Sequence, residues 1–167
     1  MTPERRAQLI EQYRSGPDEF NAALAEVPAE ALDWIPAQDE WSIRQIVVHC
    51  ADAEAVGYAR VRMLMAEPSP LIVSYDQDRW ATCLDYATVP IGPALSVICA
   101  VRELTSILLD TLPAEAWTRT GHHTESGAYS ADDWLTMYGA HLLVHVIQIR
   151  ETLRQWQTHI MADAGES

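Results

Sequence analysis

Apolar residues recur at three- and four-residue intervals in four stretches of the chain, the period of helices packed by one face. The first stretch runs from about Pro3 to Val27, with Pro3 suited to a first-turn position and Ala, Leu, Glu and Gln through its body. Its Gly16-Pro17 pair predicts a break or kink, and Pro28 and Pro36 bracket the connection that follows. The second stretch opens at Ser42, where Ser42 and Gln45 have capping-box spacing. Ile46, His49, Ala53 and Val56 then share a stripe flanked by Ile43, Val47 and Cys50, and the helix ends before Pro68. The third starts at Gly92-Pro93, with proline at a favoured first position. It runs through Val97, Val101, Leu104 and Leu108 to about Leu112. The fourth starts at Ser130, with Asp133 giving a second capping box, and continues through Leu135, Tyr138, Leu142, His145, Ile149, Thr152 and Trp156. No segment shows a strand-like alternation worth naming.

The connections order these helices. Glu67 to Ile91 spans 25 residues and holds Pro68, Pro70 and the segment YDQDRW. A link of that length can run along a bundle and return the chain parallel to where it left. The expected fold is therefore all-α: a four-helix bundle, up-down-down-up, with a long crossover between the second and third helices. The 17-residue link from Pro113 to Tyr129 also exceeds an ordinary bundle turn. Long links at bundle ends are suited to forming the mouth of a pocket. Residues 1–160 are expected to form the single bundle domain and residues 161–167 a short tail.

Composition narrows the function classes. The chain has 167 residues, 49% of them apolar, which is enough for one domain with a full core. Charges or prolines interrupt every apolar run before it approaches the roughly 18 residues of a membrane span, and the N-terminal segment lacks a secretory apolar core. Cys50, Cys83 and Cys99 are scattered and odd in number, so they read as reduced, buried thiols, and a cytoplasmic location is expected. The formal charge of −13 argues against nucleic acid and anionic membrane as partners, and otherwise describes a solvated surface.

His49, His141 and His145 are the residues that carry chemistry. His141 and His145 are one turn apart on the apolar stripe with Tyr138, Leu142 and Ile149, so both imidazoles face the same way. Burying two of them among aliphatic groups is costly unless a metal ion or a hydrogen-bonded network satisfies their nitrogens. A third imidazole from a facing helix would complete one face of a metal's coordination shell and leave the other open, as catalytic metals require. Cys50 points about 100° away from His49 and offers no ligand geometry. Phosphate-loop, G-x-S-x-G and paired-cysteine motifs are absent, and neither His141 nor His145 follows a Glu by three as in di-iron bundles.

The segments WSIRQIVVHCADAE and YGAHLLVHVIQIRE resemble the DinB/YfiT-like superfamily of small four-helix proteins, as does the lead ESGAYSADDW. Trp41, Ser42, His49, Asp52, Glu54, His141, His145, Gln148 and Ile149 stand at the positions of the family pattern, in order and spacing, over nearly the whole chain. Where many relatives carry Asp directly after the first histidine of the pair, this chain has Leu142. The resemblance implies a bundle with a long crossover, commonly a homodimer, and a divalent metal, Zn or Ni, held by three histidines. Relatives include bacillithiol-dependent S-transferases and mycothiol-dependent maleylpyruvate isomerase. The expected function is thus that of a metal-dependent small-molecule enzyme, with thiol transfer from a low-molecular-weight thiol cosubstrate first and hydrolysis next. A non-catalytic dimeric module with a bracing or vestigial metal is the alternative. Asp52, three residues beyond His49, is the candidate outer group or base, with a solvated acid as the other reading. Gln45, Arg60, Tyr138 and Thr152 are candidate polar groups of the pocket and Trp80 a candidate wall. His122, His123 and His159 are expected in solvated loops or the tail.

Overall fold

A computed structural model describes residues 1–165. Four long helices form the bundle: α1 (Pro3–Ala25), α2 (Ile43–Ala66), α4 (Ile91–Thr111) and α5 (Ala131–Gly165). A short α3 (Gln77–Cys83) interrupts the crossover. Contacts fix the directions. Leu9 and Gly16 of α1 meet Gly139 and Leu142 of α5 in the same order, so these two helices are parallel. Gly57 and His49 of α2 meet Tyr138 and His145 of α5 in reverse order, which makes that pair antiparallel. Glu54 and Arg62 of α2 bond Arg102 and Thr105 of α4, a parallel pair. The result is the expected up-down-down-up bundle. Helix α5 continues beyond residue 160, and His159 there stacks on Trp34 at 5.8 Å.

Local chemistry sets the helix ends. Ser42 Oγ accepts from Gln45 N–H and Gln45 Oε1 accepts from Ser42 N–H, which closes the first capping box. Ser130 and Asp133 close the second in the same reciprocal way. The predicted break in α1 does not occur: the helix passes through Pro17. Pro17 has no N–H to give the carbonyl four residues back, at Tyr13. That carbonyl instead accepts from Arg102 Nη1 at 2.7 Å.

This substitution is part of a polar layer that divides the core. One apolar cluster gathers Phe20, Ile46, Val47, Ile98, Leu142 and Val146, and the other Leu9, Tyr13, Val61, Leu109, Trp134 and Tyr138. Between them each long helix contributes polar or small residues at the same level: Gly16-Pro17, His49 and Glu54, Arg102, and His141.

Three features depart from the sequence expectations. A three-stranded sheet, β1 (Leu71–Ile72), β2 (Thr120–His123) and β3 (Gly127–Ser130), lies in the two long links, with β1 parallel and β3 antiparallel to β2. Its strands of two and four residues are too short to show a period. Gly121 permits the close approach of β2 to β1, because a Cβ there would lie 2.6 Å from the Pro70 carbonyl. Of the three thiols only Cys50 is buried; Cys83 and Cys99 are exposed. Finally, α4 is long and apolar enough to cross a membrane by length and composition, contrary to the expectation that no such run exists. In the bundle its inner face carries Ala94, Ile98, Arg102, Thr105 and Leu109, and Val97, Leu104 and Ile107 are exposed.

Candidate metal centre

Helix α2 delivers His49 and helix α5 delivers His141 and His145 to one point. The ring centroids lie 4.9 Å (His49–His145), 5.5 Å (His49–His141) and 4.7 Å (His141–His145) apart. One nitrogen from each ring falls within 4.8 Å of the others. His49 is buried against Trp41, whose ring is 4.8 Å away, and the other two are partly exposed.

The second nitrogen of each α5 histidine is held. His141 Nδ1 lies 3.0 Å from Glu54 Oε1, and His145 Nδ1 lies 2.8 Å from Gln148 Oε1. Both partners are oxygens that only accept, so each Nδ1 carries the proton and each Nε2 keeps its lone pair. Glu54 is itself gripped. Arg102 donates Nε–H to its Oε2 at 2.7 Å and Nη2–H to its Oε1 at 2.6 Å. The guanidinium also donates to the backbone carbonyls of Tyr13 and Tyr138. A chain of bonds thus runs from the Tyr13 carbonyl that Pro17 leaves free through Arg102 and Glu54 to His141.

Electrostatics favour the neutral form of His49 and His145. Burial, together with the two neighbouring rings, lowers the pKa of His49 to about 3. Burial and the His141 ring lower that of His145 to about 4. Burial pushes Glu54 towards its neutral form, yet Arg102 and His141 outweigh it and hold the carboxyl below its ordinary value.

Two cavities flank the histidines, and Gln77 at the start of α3 borders both. One, of about 500 Å³, is lined by His145, Gln148 and Thr152 with the acids Asp39, Glu40, Asp78 and Glu151. The other, of about 280 Å³, is lined by His49, His141, Tyr138, Arg60 and His123. Thr152, Tyr138 and Arg60, candidate polar groups of the pocket, therefore border these cavities. Gln45 serves the capping box and borders a separate recess beside Trp41. Trp80 packs on Tyr75 at 4.4 Å. His123 lies buried in β2 instead of in a solvated loop.

Asp52 accepts a short hydrogen bond from the Tyr86 hydroxyl, and the carboxylate that reaches an imidazole is Glu54. Sequence reasoning placed Glu54 in the family pattern without a role and missed Arg102 altogether. The available signal was a charge on the inner stripe of an otherwise apolar helix, four residues beyond Ile98.

The donor set fits a divalent ion. Ligands about 2.0–2.1 Å from a tetrahedral zinc sit roughly 3.4 Å apart, so modest side-chain rotations close a group already within 4.8 Å. His49 Nδ1 is buried without a hydrogen-bond partner, so this ring has an unsatisfied nitrogen beside the cluster.

Fold and site together define a four-helix bundle with a long crossover and a three-histidine centre built on its second and last long helices. The DinB superfamily model matches residues 12–149, and the chain belongs to that superfamily. A protein of Oceanobacillus iheyensis described as a "putative metal-dependent hydrolase" is 33% identical over 145 residues, covering 85% of this chain and 84% of the relative. One of Halalkalibacterium halodurans with the same description is 24% identical, covering 86% and 84%. The solved structure of YfiT from Bacillus subtilis, titled "a probable metal-dependent hydrolase with an unusual four-helix bundle topology", superposes with a TM-score of 0.86 at 23% identity. It covers 94% of this chain and 90% of YfiT, and carries the fold comparison alone.

Proposed function

We propose that this protein is a metal-dependent enzyme acting on a small molecule, with His49, His141 and His145 holding one divalent ion, zinc or nickel. The observation that carries the reading is the convergence of three imidazole nitrogens within 4.8 Å, two of the rings oriented through Nδ1 and the group bordering two cavities. When bound, such an ion supplies Lewis-acid activation of a water molecule or a thiol. Hydrolysis leads because the relatives carry that description; transfer from a low-molecular-weight thiol uses the same activation and is the second reaction to assay.

The chain's own groups have definable tasks. Glu54 and Gln148 fix the tautomers of His141 and His145. The Tyr138 hydroxyl is kept protonated by burial; its oxygen accepts from Arg60 Nη1 at 3.2 Å, which leaves its proton available to a substrate oxygen. Trp41 covers His49 and excludes water from its buried side. Pairing of two copies belongs to the same reading, and sedimentation velocity tests it; a monomer at all accessible concentrations contradicts it.

The test is to assay zinc- and nickel-loaded protein beside His141→Ala against ester and amide substrates, and against electrophiles with bacillithiol or mycothiol. Turnover by the loaded wild type that the variant loses supports the reading and selects the reaction. Turnover equal in both removes the histidine centre from the chemistry.

A further inference from the structure

Among the described residues two arginines are deeply buried, and they are satisfied very differently. Arg102, 1% exposed, has a bidentate carboxylate partner in Glu54 and two backbone carbonyls, which is how a structural arginine is accommodated in this core. Arg60, 7% exposed, has no carboxylate partner among the described residues. It donates Nη2–H to the Val73 carbonyl at 2.7 Å and Nη1–H to the Tyr138 hydroxyl at 3.2 Å, and its Nε–H is buried with no acceptor. A buried, always-charged group without a counter-ion is costly to the fold. Arg60 also lines the 280 Å³ cavity on which His49 and His141 open.

A second donor stands on the same wall. The backbone N–H groups of Glu125 and Ser126 both donate to His123 Nδ1, at 3.3 Å each. With Nδ1 accepting, the ring's proton is on Nε2, so the neutral imidazole has one N–H to offer. His123 borders this cavity too. One carboxylate, the exposed Glu125, also lines this cavity, whereas the neighbouring 500 Å³ cavity is lined by four acids: Asp39, Glu40, Asp78 and Glu151. The two approaches to the histidines thus differ in polarity, and only one offers a buried cation with donors beside it.

We propose that the smaller cavity binds a carboxylate group of the substrate, with Arg60 as its charge partner and His123 as a neutral N–H donor. A carboxylate supplies the counter-ion that Arg60 lacks and matches the planar guanidinium. A monoanion suits a molecule of formal charge −13 better than a doubly charged phosphate does. The proposal rests on the three-histidine reading in one respect, that the anion is taken to be part of the molecule on which that centre acts. In that arrangement the Arg60 contact sets substrate orientation, and the end of the substrate lying by His49 and His141 is the end that reacts.

The test titrates metal-free protein with butyrate and with its neutral isostere butyramide, following the Arg60 Nε–H resonance, and repeats the butyrate titration at raised salt. Butyrate is expected to shift that resonance and bind at least about tenfold more tightly than butyramide, the range for a hydrogen bond to a charged partner. The preference should shrink with salt. Arg60→Gln should abolish it, and Arg60→Lys should retain part of it. Equal binding of the two ligands by the wild type, no binding of either, or a full butyrate preference in Arg60→Gln overturns the proposal. Inorganic phosphate binding where butyrate does not overturns the carboxylate assignment. The wild-type comparison stands even if Arg60→Gln fails to fold for want of its bond to Val73. Zinc content is measured in parallel: failure to load zinc defeats the metal reading without touching the anion titration, and a zinc-loaded protein indifferent to charge defeats the anion site alone.

Discussion

Glu54 lies between Arg102 and His141, so replacing it acts on both neighbours. Glu54→Gln leaves the Arg102 guanidinium buried without an anion, which is expected to cost about 3–5 kcal/mol of folding stability. It also removes the carboxylate behind His141, and metal affinity is expected to fall about 10–100-fold. Denaturant unfolding and competition with a chromophoric chelator measure the two effects; unchanged values of both would separate Glu54 from the site. A pH dependence follows from the buried rings. His49 and His145 have folded-state pKa values of about 3 and about 4, below the ordinary 6.5. The unfolded chain therefore binds protons that the folded metal-free protein refuses, and stability falls as pH drops from about 6.5 towards 4. Above 6.5 this contribution is complete. Urea unfolding between pH 4 and 8 checks it, and His145→Leu should flatten the slope. The histidines were legible in the sequence because two of them share a turn, but Glu54 was not. It lies five residues beyond His49, about 140° round the helix, and a single-stripe reading discards that direction. The first half of α2 is buried nearly all round, so both directions face protein.

At the scale of elements, the close seating of α5 on α2 depends on Gly57. A Cβ at that position would lie 2.4 Å from the Tyr138 ring, and the Gly57 carbonyl accepts from Trp134 Nε1 at 2.9 Å. Gly57→Ala is expected to destabilise by about 1–3 kcal/mol through overpacking. It should also disturb the cavity by moving Tyr138. Thermal unfolding and the near-ultraviolet signal of the aromatic cluster report the two; a variant with wild-type values for both would contradict the tight contact. The helices, their capping boxes and the long crossover were readable from local pattern and loop length. The sheet and α3 were not, because β1 forms only by pairing with β2 from a distant link, the β2–β3 hairpin has just four residues a side, and a seven-residue helix leaves little periodicity. The Gly16-Pro17 pair was readable as a break or a kink, and of the two the break does not occur. The pair's consequence is long-range, since the carbonyl that Pro17 releases is taken by α4.

The whole molecule is organised round the polar layer that crosses all four long helices and separates two apolar clusters. A metal ion at its edge would tie α2 to α5, so the folded state should gain stability with free metal. The gain is about 4 kcal/mol at a thousandfold excess over the dissociation constant. Unfolding temperature measured against buffered zinc concentration tests this coupling, and a temperature independent of zinc contradicts it. The most direct measurement is elemental analysis of tag-free protein, purified without added metal, beside the His145→Ala variant. About one equivalent of a divalent transition metal in the wild type and none in the variant is the expected result. Equal metal content in the two proteins, or none in the wild type even after incubation with zinc and nickel, would contradict the three-histidine centre.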